Sequence, residues 1–149
     1  MTALQLEYEQ DFYSWIYRNI ELLKQRKFSE LDIDILIDEL ESMAKRDRRE
    51  LFSHLMVLIA HLLKWQFQPE QRNGSWRGSI REQRIKIKKQ LQESPSLKNQ
   101  LVEGIKASYP DALQVAMDET GLSAGIFPNV CAYSVEEILD ESFYPGNKN

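Results

Sequence analysis

Carboxylates crowd the segment between Glu30 and Glu41, and no basic residue follows before Lys45. At 100° per residue on a helix, three of them form a stripe beside the apolar positions, and a fourth lies on the opposite flank. Carboxylates on adjacent helices can hold Mg²⁺ against a diphosphate, as in all-helical nucleotide pyrophosphatases. The candidate acidic or metal cluster, called the acidic cluster below, consists of Asp34, Asp38 and Glu41 in the stripe and Glu39 opposite.

A magnesium site of this kind needs a second acidic pair on a facing helix. Asp118 and Glu119 are the only obvious candidates, and their spacing is not distinctive. The sequence contains no glycine-rich phosphate loop and no string that arranges Ser, His and Asp as a triad. We therefore name no catalytic residue, and an enzyme is the weakest of three functional hypotheses.

Basic residues crowd a second segment, Arg72 to Lys89, which carries seven bases against one acid, Glu82. Four of these bases recur at spacings of four, three and four residues, so on a helix they share a band beside the apolar stripe. Such a band could follow nucleic-acid phosphates, dock a protein partner, or pair with the acidic cluster and so set which helices are neighbours. The candidate partner-binding residues, called the basic stripe below, are Arg77, Arg81, Arg84 and Lys88.

Two histidines and one cysteine are too few for a closed zinc site. His54 and His61 are separated by two helical turns, or ~10 Å, so they cannot share a metal without ligands from elsewhere. We predict no metal and no cofactor, and a hydrogen-bonded structural role for His61. We expect Cys131 to be a small core residue. Because it has no partner for an internal disulfide, it fits a reducing compartment.

Helical periodicity predicts the elements that must position these residues. Apolar side chains recur every three or four residues from Leu6 to about Lys27, again from Ile33, and most densely from Leu51 to Phe67. The charged string from Lys45 to Glu50 leaves open whether residues 33–67 form one helix or two. The apolar stripe that begins this region is Ile33, Ile37, Leu40 and Ala44.

Turn and capping signals divide the second half of the chain. After a proline ends the most apolar helix, Ser75 is expected to cap the basic one. Ser94-Pro95 predicts the next helix start, and Pro110 either kinks that helix or begins another. Gly121 predicts a helix end, and the string from Ser134 to Glu137 is a capping box for a short last helix.

The sequence shows no alternating strand of useful length and no internal repeat. The predicted fold is all-α: one single-domain bundle of about five to six helices, with an irregular C-terminal tail and a short last helix. The domain covers residues 1–149, with an ordered core at 6–144 and fraying ends. A length of 149 residues, 42% hydrophobic content and a net charge of -4 are typical of a soluble globular protein. No signal peptide or membrane span is evident, so we predict a cytoplasmic location.

Six short strings occur in order along the chain. They are DFYSW at 11–15, LIDELESM at 36–43, HLLKWQFQP at 61–69, SWRGSIREQR at 75–84, SPSL at 94–97 and ETGL at 119–122. Together they resemble the domain-of-unknown-function-29 family of bacterial proteins, common in cyanobacteria, over roughly Tyr8 to Tyr144. The resemblance implies an all-helical, bundle-like fold and no particular reaction, because the family has no established activity. Lys45-Arg46 departs from the Gly- and Ser-containing break expected between helices in relatives.

These patterns favour a non-catalytic, cytoplasmic protein-interaction module that uses a charged helical face. Its ligand would be a protein partner or a second copy of the chain. One alternative is nucleic-acid binding through the basic stripe, although the acidic overall balance and the lack of a nucleic-acid motif weigh against it. The other alternative is a magnesium-dependent, pyrophosphatase-like enzyme that uses the acidic cluster.

Overall fold

Six α-helices make up most of the chain in a computed structural model that describes residues 2–146. The helices are α1 (Ala3–Gln10), α2 (Phe12–Lys24), α3 (Ile33–Phe67), α4 (Gly74–Glu93), α5 (Leu101–Thr120) and α6 (Val135–Leu139). Short 3-10 segments lie at Phe28–Glu30, Pro69–Gln71, Pro95–Gln100 and Ala124–Ile126. The described residues contain no strand, and the predicted all-α fold with a short last helix is confirmed.

The chain divides into two compact units, Met1–Lys45 and Arg46–Asn149. The first contains α1, α2 and the beginning of α3, and the second contains the remainder of α3 together with α4, α5 and α6. The single domain expected over residues 1–149 stays a prediction.

α3 is one uninterrupted helix of 35 residues, which decides between the one-helix and two-helix alternatives. The charged string from Lys45 to Glu50 contains no glycine or proline and is dominated by Lys, Arg and Glu, which are good helix formers. Every residue from Leu40 to Glu50 is exposed.

Among the described residues, no helix combines the length and the apolar character that a membrane crossing requires.

An aromatic cluster forms the centre of the first unit. Trp15 is buried, and its ring centroid lies 4.9 Å from that of Tyr8 and 5.6 Å from that of Phe12. The Tyr8 hydroxyl donates a hydrogen bond to the carboxylate of Glu39 on α3. This bond and the ring contacts tie α1 to both α2 and α3.

The prediction of one helix from Leu6 to about Lys27 is wrong in one respect, because the structure has two helices that meet at Asp11. The backbone of Asp11 is not helical, and its carboxylate accepts a hydrogen bond from the Ser14 amide at 3.1 Å. Asp11 therefore caps α2 and ends α1 at the same point. Periodicity alone misses this break because the apolar phase continues through it.

The apolar stripe at the start of α3 is exposed in the structure. Ile33, Ile37 and Leu40 are 49%, 47% and 63% exposed, and Ala44 is also exposed. The contact of α3 with α1 instead uses Glu39, which lies on another side of the helix. Helical phase identified the stripe correctly, but it does not say whether anything covers it.

The second half of α3 is the centre of the core of the second unit, in agreement with its apolar density. Leu55, Leu58 and Leu62 are fully buried there, together with Ile80 and Ile87 of α4. α5 and α6 contribute the fully buried Ala112, Ala116 and Ile138. This core fixes the position of α4, which carries the basic stripe.

Two helix starts differ from their predicted positions. α4 is capped by Asn73 and not by Ser75, because the Asn73 side chain accepts a hydrogen bond from the Trp76 amide at 2.8 Å. Ser94-Pro95 begins a 3-10 segment, and the α-helix itself starts at Leu101.

Three boundary signals in the last third of the chain are settled by the structure. Pro110 lies inside α5 and begins no new helix. Gly121 ends α5 with a left-handed φ of 74°, a conformation that glycine adopts without steric cost. Both hydrogen bonds of the Ser134 capping box are present at the start of α6.

Candidate functional site

A groove of about 370 Å³ runs beside the C-terminal half of α4 in the second unit. We call it the α4 groove. Its apolar lining residues are Ile87 and Leu91 of α4, with Pro95 and Leu139 from the two segments that border it. Its charged side chains are Arg84, Lys88, Lys98 and Glu141, which gives three cations against one acid. This volume lies within the range of ligand sites in proteins, and the charge balance favours an anionic ligand.

Arg84 is buried at 4% exposure and holds the end of α6. Its guanidinium donates hydrogen bonds to the carbonyl oxygens of Ile138 at 2.8 Å, Phe143 at 2.9 Å and Glu137 at 3.3 Å. The last carbonyls of a helix have no partner within the helix, so Arg84 satisfies groups that α6 leaves open. Burial lowers the pKa of this guanidinium, which nevertheless stays charged. Its Nη1 atom has no hydrogen-bond partner among the described residues.

Arginines of the basic segment also pack on aromatic rings near the end of the chain. Arg72 and Arg77 each lie 5.0 Å from the ring centroid of Trp65. Arg77 lies 4.8 Å and Arg84 lies 5.6 Å from the ring centroid of Tyr144. Cations at these distances are attracted by the negative faces of aromatic rings. Part of the basic segment therefore attaches the C-terminal tail to α4.

The four residues of the basic stripe do not form one exposed band. Arg77, Arg81 and Lys88 are exposed, whereas Arg84 is buried. Arg81 and Arg84 line a smaller cavity of about 90 Å³ that shares Arg84 and Glu141 with the α4 groove. The exposed cations Arg81 and Lys88 thus border two adjoining depressions along α4. Whether they bind a partner stays a prediction.

In the first unit, the members of the acidic cluster have different surroundings. Asp34, Asp38 and Glu41 are exposed, whereas Glu39 is half-buried and accepts the hydrogen bond of Tyr8. That bond is the main reason why the pKa of the Tyr8 hydroxyl is raised. Within residues 2–146, no group of three His, Cys, Asp or Glu side chains is arranged to hold a metal ion.

The suggested second acidic pair consists of Asp118 and Glu119, and each carboxylate contacts another side chain of the second unit. Asp118 accepts a hydrogen bond from Gln114 at 2.9 Å. Glu119 pairs with the buried ammonium of Lys64 at 2.7 Å, and that ammonium lies 4.8 Å from the ring centroid of Trp76. The pairing of the acidic cluster with the basic stripe would join residues of the two units and stays a prediction.

The two histidines are hydrogen-bonded to other groups of the second unit, and the cysteine packs against its core. Nδ1 of His61 hydrogen-bonds the Val57 carbonyl at 2.8 Å, which confirms that this histidine is hydrogen-bonded, as predicted. His54 Nδ1 lies 2.9 Å from the Gln83 side-chain oxygen. Cys131 is half-buried against the core, and burial raises the pKa of its thiol. A raised pKa disfavours the thiolate, which is the reactive form of cysteine.

Residues of the groove that lie outside α4 escaped the sequence patterns. Lys98 and Pro95 belong to the segment before α5, Leu139 is the last residue of α6, and Glu141 follows that helix. A single charged residue in a short segment has no periodic signal. The capping box at Ser134 located α6, but only the folded chain places α6 beside α4.

The model of a family described as "Domain of unknown function DUF29" matches residues 7–144. Neither a curated protein nor a solved structure matches the chain.

Proposed function

The chain belongs to the family described as Domain of unknown function DUF29, and we propose that it is a non-catalytic, cytoplasmic protein-interaction module. In this proposal the α4 groove docks an acidic and partly apolar segment of a protein partner. The single observation that supports it most is the composition of the groove, whose lining combines apolar residues with three cations and one acid.

The apolar and the charged residues of the groove would contribute differently to binding. Pro95 is exposed and Leu139 is half-buried, so these two residues offer apolar surface, and burying such surface contributes about 25 cal/mol per Å². Lys88 and Lys98 are exposed, so their ion pairs with a partner would be worth roughly 0–1 kcal/mol each. Exposed charges of this kind mainly orient an approaching partner and exclude partners of the same charge.

A protein segment suits the groove better than a nucleic-acid backbone does. Phosphates are recognised chiefly by cations and amide groups, so a nucleic-acid backbone would make little use of the apolar surface of Pro95 and Leu139. Arg84 is engaged with three backbone carbonyls, so the basic stripe offers fewer exposed cations than its sequence indicates. The net charge of -4 also repels polyanions at long range.

The proposed cytoplasmic location is supported by the lone cysteine, which fits a reducing compartment.

The proposal is tested by fluorescence anisotropy with a labelled helical peptide that carries leucines on one face and glutamates beside them. Two matched peptides serve as controls, one with lysines for the glutamates and one with serines for the leucines. We expect the acidic, leucine-containing peptide to bind most tightly. The double variant Lys88→Glu/Lys98→Glu should weaken this binding by about tenfold or more. Each substitution replaces an attraction to a glutamate of the peptide with a repulsion of ~0.5–1 kcal/mol.

The matched protein control is Lys106→Glu, which reverses an exposed charge of α5 outside the groove. Equal weakening by this control would assign the effect to net charge and contradict the proposal. Labelled single-stranded RNA and DNA are titrated in parallel. Tight, salt-sensitive binding of these strands that is lost in Arg81→Glu/Lys88→Glu, with no binding of the acidic peptide, would replace the proposal with nucleic-acid recognition.

A further inference from the structure

We infer that the segment docking in the α4 groove is the acidic start of α3 from a second copy of this chain. This inference rests on the proposed function and names the partner of the same groove. It is carried by the exposed apolar and acidic surface of the first unit, which is a separate observation from the groove itself.

The exposed surface lies on the first three turns of α3. Ile33, Ile37, Leu40 and Met43 are 47–63% exposed and recur at three or four residues, so they share one side of the helix. Soluble proteins rarely leave a continuous apolar surface uncovered unless it binds something. Beside these side chains lie the exposed carboxylates Asp34, Asp38 and Glu41. An apolar helix face with an acidic edge is the kind of ligand that the groove favours.

The charges on the two surfaces match in spacing as well as in sign. The exposed carboxylates Asp34 and Glu41 are seven residues apart on α3, and the exposed cations Arg81 and Lys88 are seven residues apart on α4. Seven residues span ~10.5 Å on any α-helix. Two helices lying alongside each other can therefore bring both pairs of opposite charges together at once.

In the part of each unit that the structure describes, these charges have no ion-pair partner. Among the described residues of the first unit, none pairs with Asp34, Asp38 or Glu41, and among those of the second unit, none pairs with Arg81 or Lys88. A second copy supplies each surface with its complement at equal concentration. Reciprocal docking of two copies forms two identical interfaces, which closes the assembly as a dimer.

The test uses the full chain and two charge-reversed variants. One variant is Asp34→Lys/Asp38→Lys/Glu41→Lys, and the other is Arg81→Glu/Lys88→Glu. All five side chains are exposed, so we expect both variants to fold, which circular dichroism verifies. Molar mass is measured by sedimentation equilibrium over a range of protein and salt concentrations. Lys106→Glu is again the matched control.

We expect the wild-type chain to show a molar mass that rises with protein concentration and falls with added salt. Each charge-reversed variant alone should associate at least tenfold more weakly, whereas Lys106→Glu should associate as the wild type does. A one-to-one mixture of the two variants should recover association, because the lysines at the start of α3 in one variant face the glutamates that replace Arg81 and Lys88 in the other. This recovery distinguishes direct pairing from a general effect of net charge.

Three results would overturn the inference. They are a monomer mass for the wild type at every concentration, variants that associate like the wild type, and a mixture that stays monomeric. If the wild type is a monomer but the acidic peptide still binds in the groove, this inference fails and the proposed function stands. If neither association nor peptide binding is seen, both fail.

Discussion

Replacing Arg84 with methionine should destabilise the protein by about 3 kcal/mol. Methionine is about as long as the aliphatic part of arginine and has no charge, so the change removes the donors and keeps the packing of the aliphatic part. The carbonyls of Glu137, Ile138 and Phe143 then lose the hydrogen bonds that the guanidinium supplies. Each such bond is worth ~1 kcal/mol or more when the carbonyl cannot find water. Relief from burying the charge offsets part of this loss.

Urea denaturation followed by tryptophan fluorescence measures the change in the free energy of unfolding. With a slope of ~2 kcal/mol per molar urea, a loss of 3 kcal/mol lowers the midpoint by roughly 1.5 M. Limited proteolysis provides a second measurement, because the end of α6 should be cleaved sooner when Arg84 no longer holds it. Arg81→Met is the matched control, since Arg81 lies on the same helix but is exposed.

The control should change the free energy of unfolding by less than ~0.5 kcal/mol, as surface substitutions usually do. Arg84→Lys keeps the charge but cannot present the guanidinium fork, so it should recover little of the lost stability. If Arg84→Met is as mild as Arg81→Met, the contacts of Arg84 do not stabilise the tail and the reasoning is wrong. If Arg84→Lys matches the wild type, charge alone is sufficient.

Three further changes test other contacts of the second unit. Gly104→Ala should cost about 1–2 kcal/mol of unfolding free energy in urea denaturation, because an added Cβ would lie 2.7 Å from the Phe52 ring. Glu119→Gln should cost roughly 1–2 kcal/mol by the same assay, because it leaves the buried ammonium of Lys64 without its counter-charge. Burial lowers the pKa of His61 below 6.5, so below that pH the unfolded state binds more protons. Stability should therefore fall as the pH drops below about 6.5, and His61→Gln should reduce that slope in urea denaturation at a series of pH values.

Matched variants decide each of these results. Gly78→Ala also adds a Cβ within a helix, but nothing lies within 4 Å of it, so it should stabilise by roughly 0.5–1 kcal/mol. A loss like that of Gly104→Ala would contradict the packing argument. Asp118→Asn should be nearly neutral, and an effect equal to that of Glu119→Gln would point to net charge. An unchanged pH slope in His61→Gln would show that other groups cause it.

The sequence by itself determined the features that depend on a few neighbouring residues. Apolar periodicity located the helices, and the most apolar one is the centre of a core. Gly121 ends α5 and Ser134 caps α6 because left-handed backbone and capping bonds require particular residue types at particular positions. The six short sequence strings, taken in their order along the chain, also indicated the family to which the chain belongs.

Only the tertiary structure decided which of these side chains are covered. Arg84 belongs by helical phase with Arg81 and Lys88, yet it is buried and donates a hydrogen bond to the carbonyl of Phe143, 59 residues later in the chain. Ile33 begins an apolar stripe that looks like core, yet it is exposed. Periodicity reports which residues share a side of a helix, because that depends on backbone geometry alone. Burial depends on which distant segment packs there, and no local pattern carries that information.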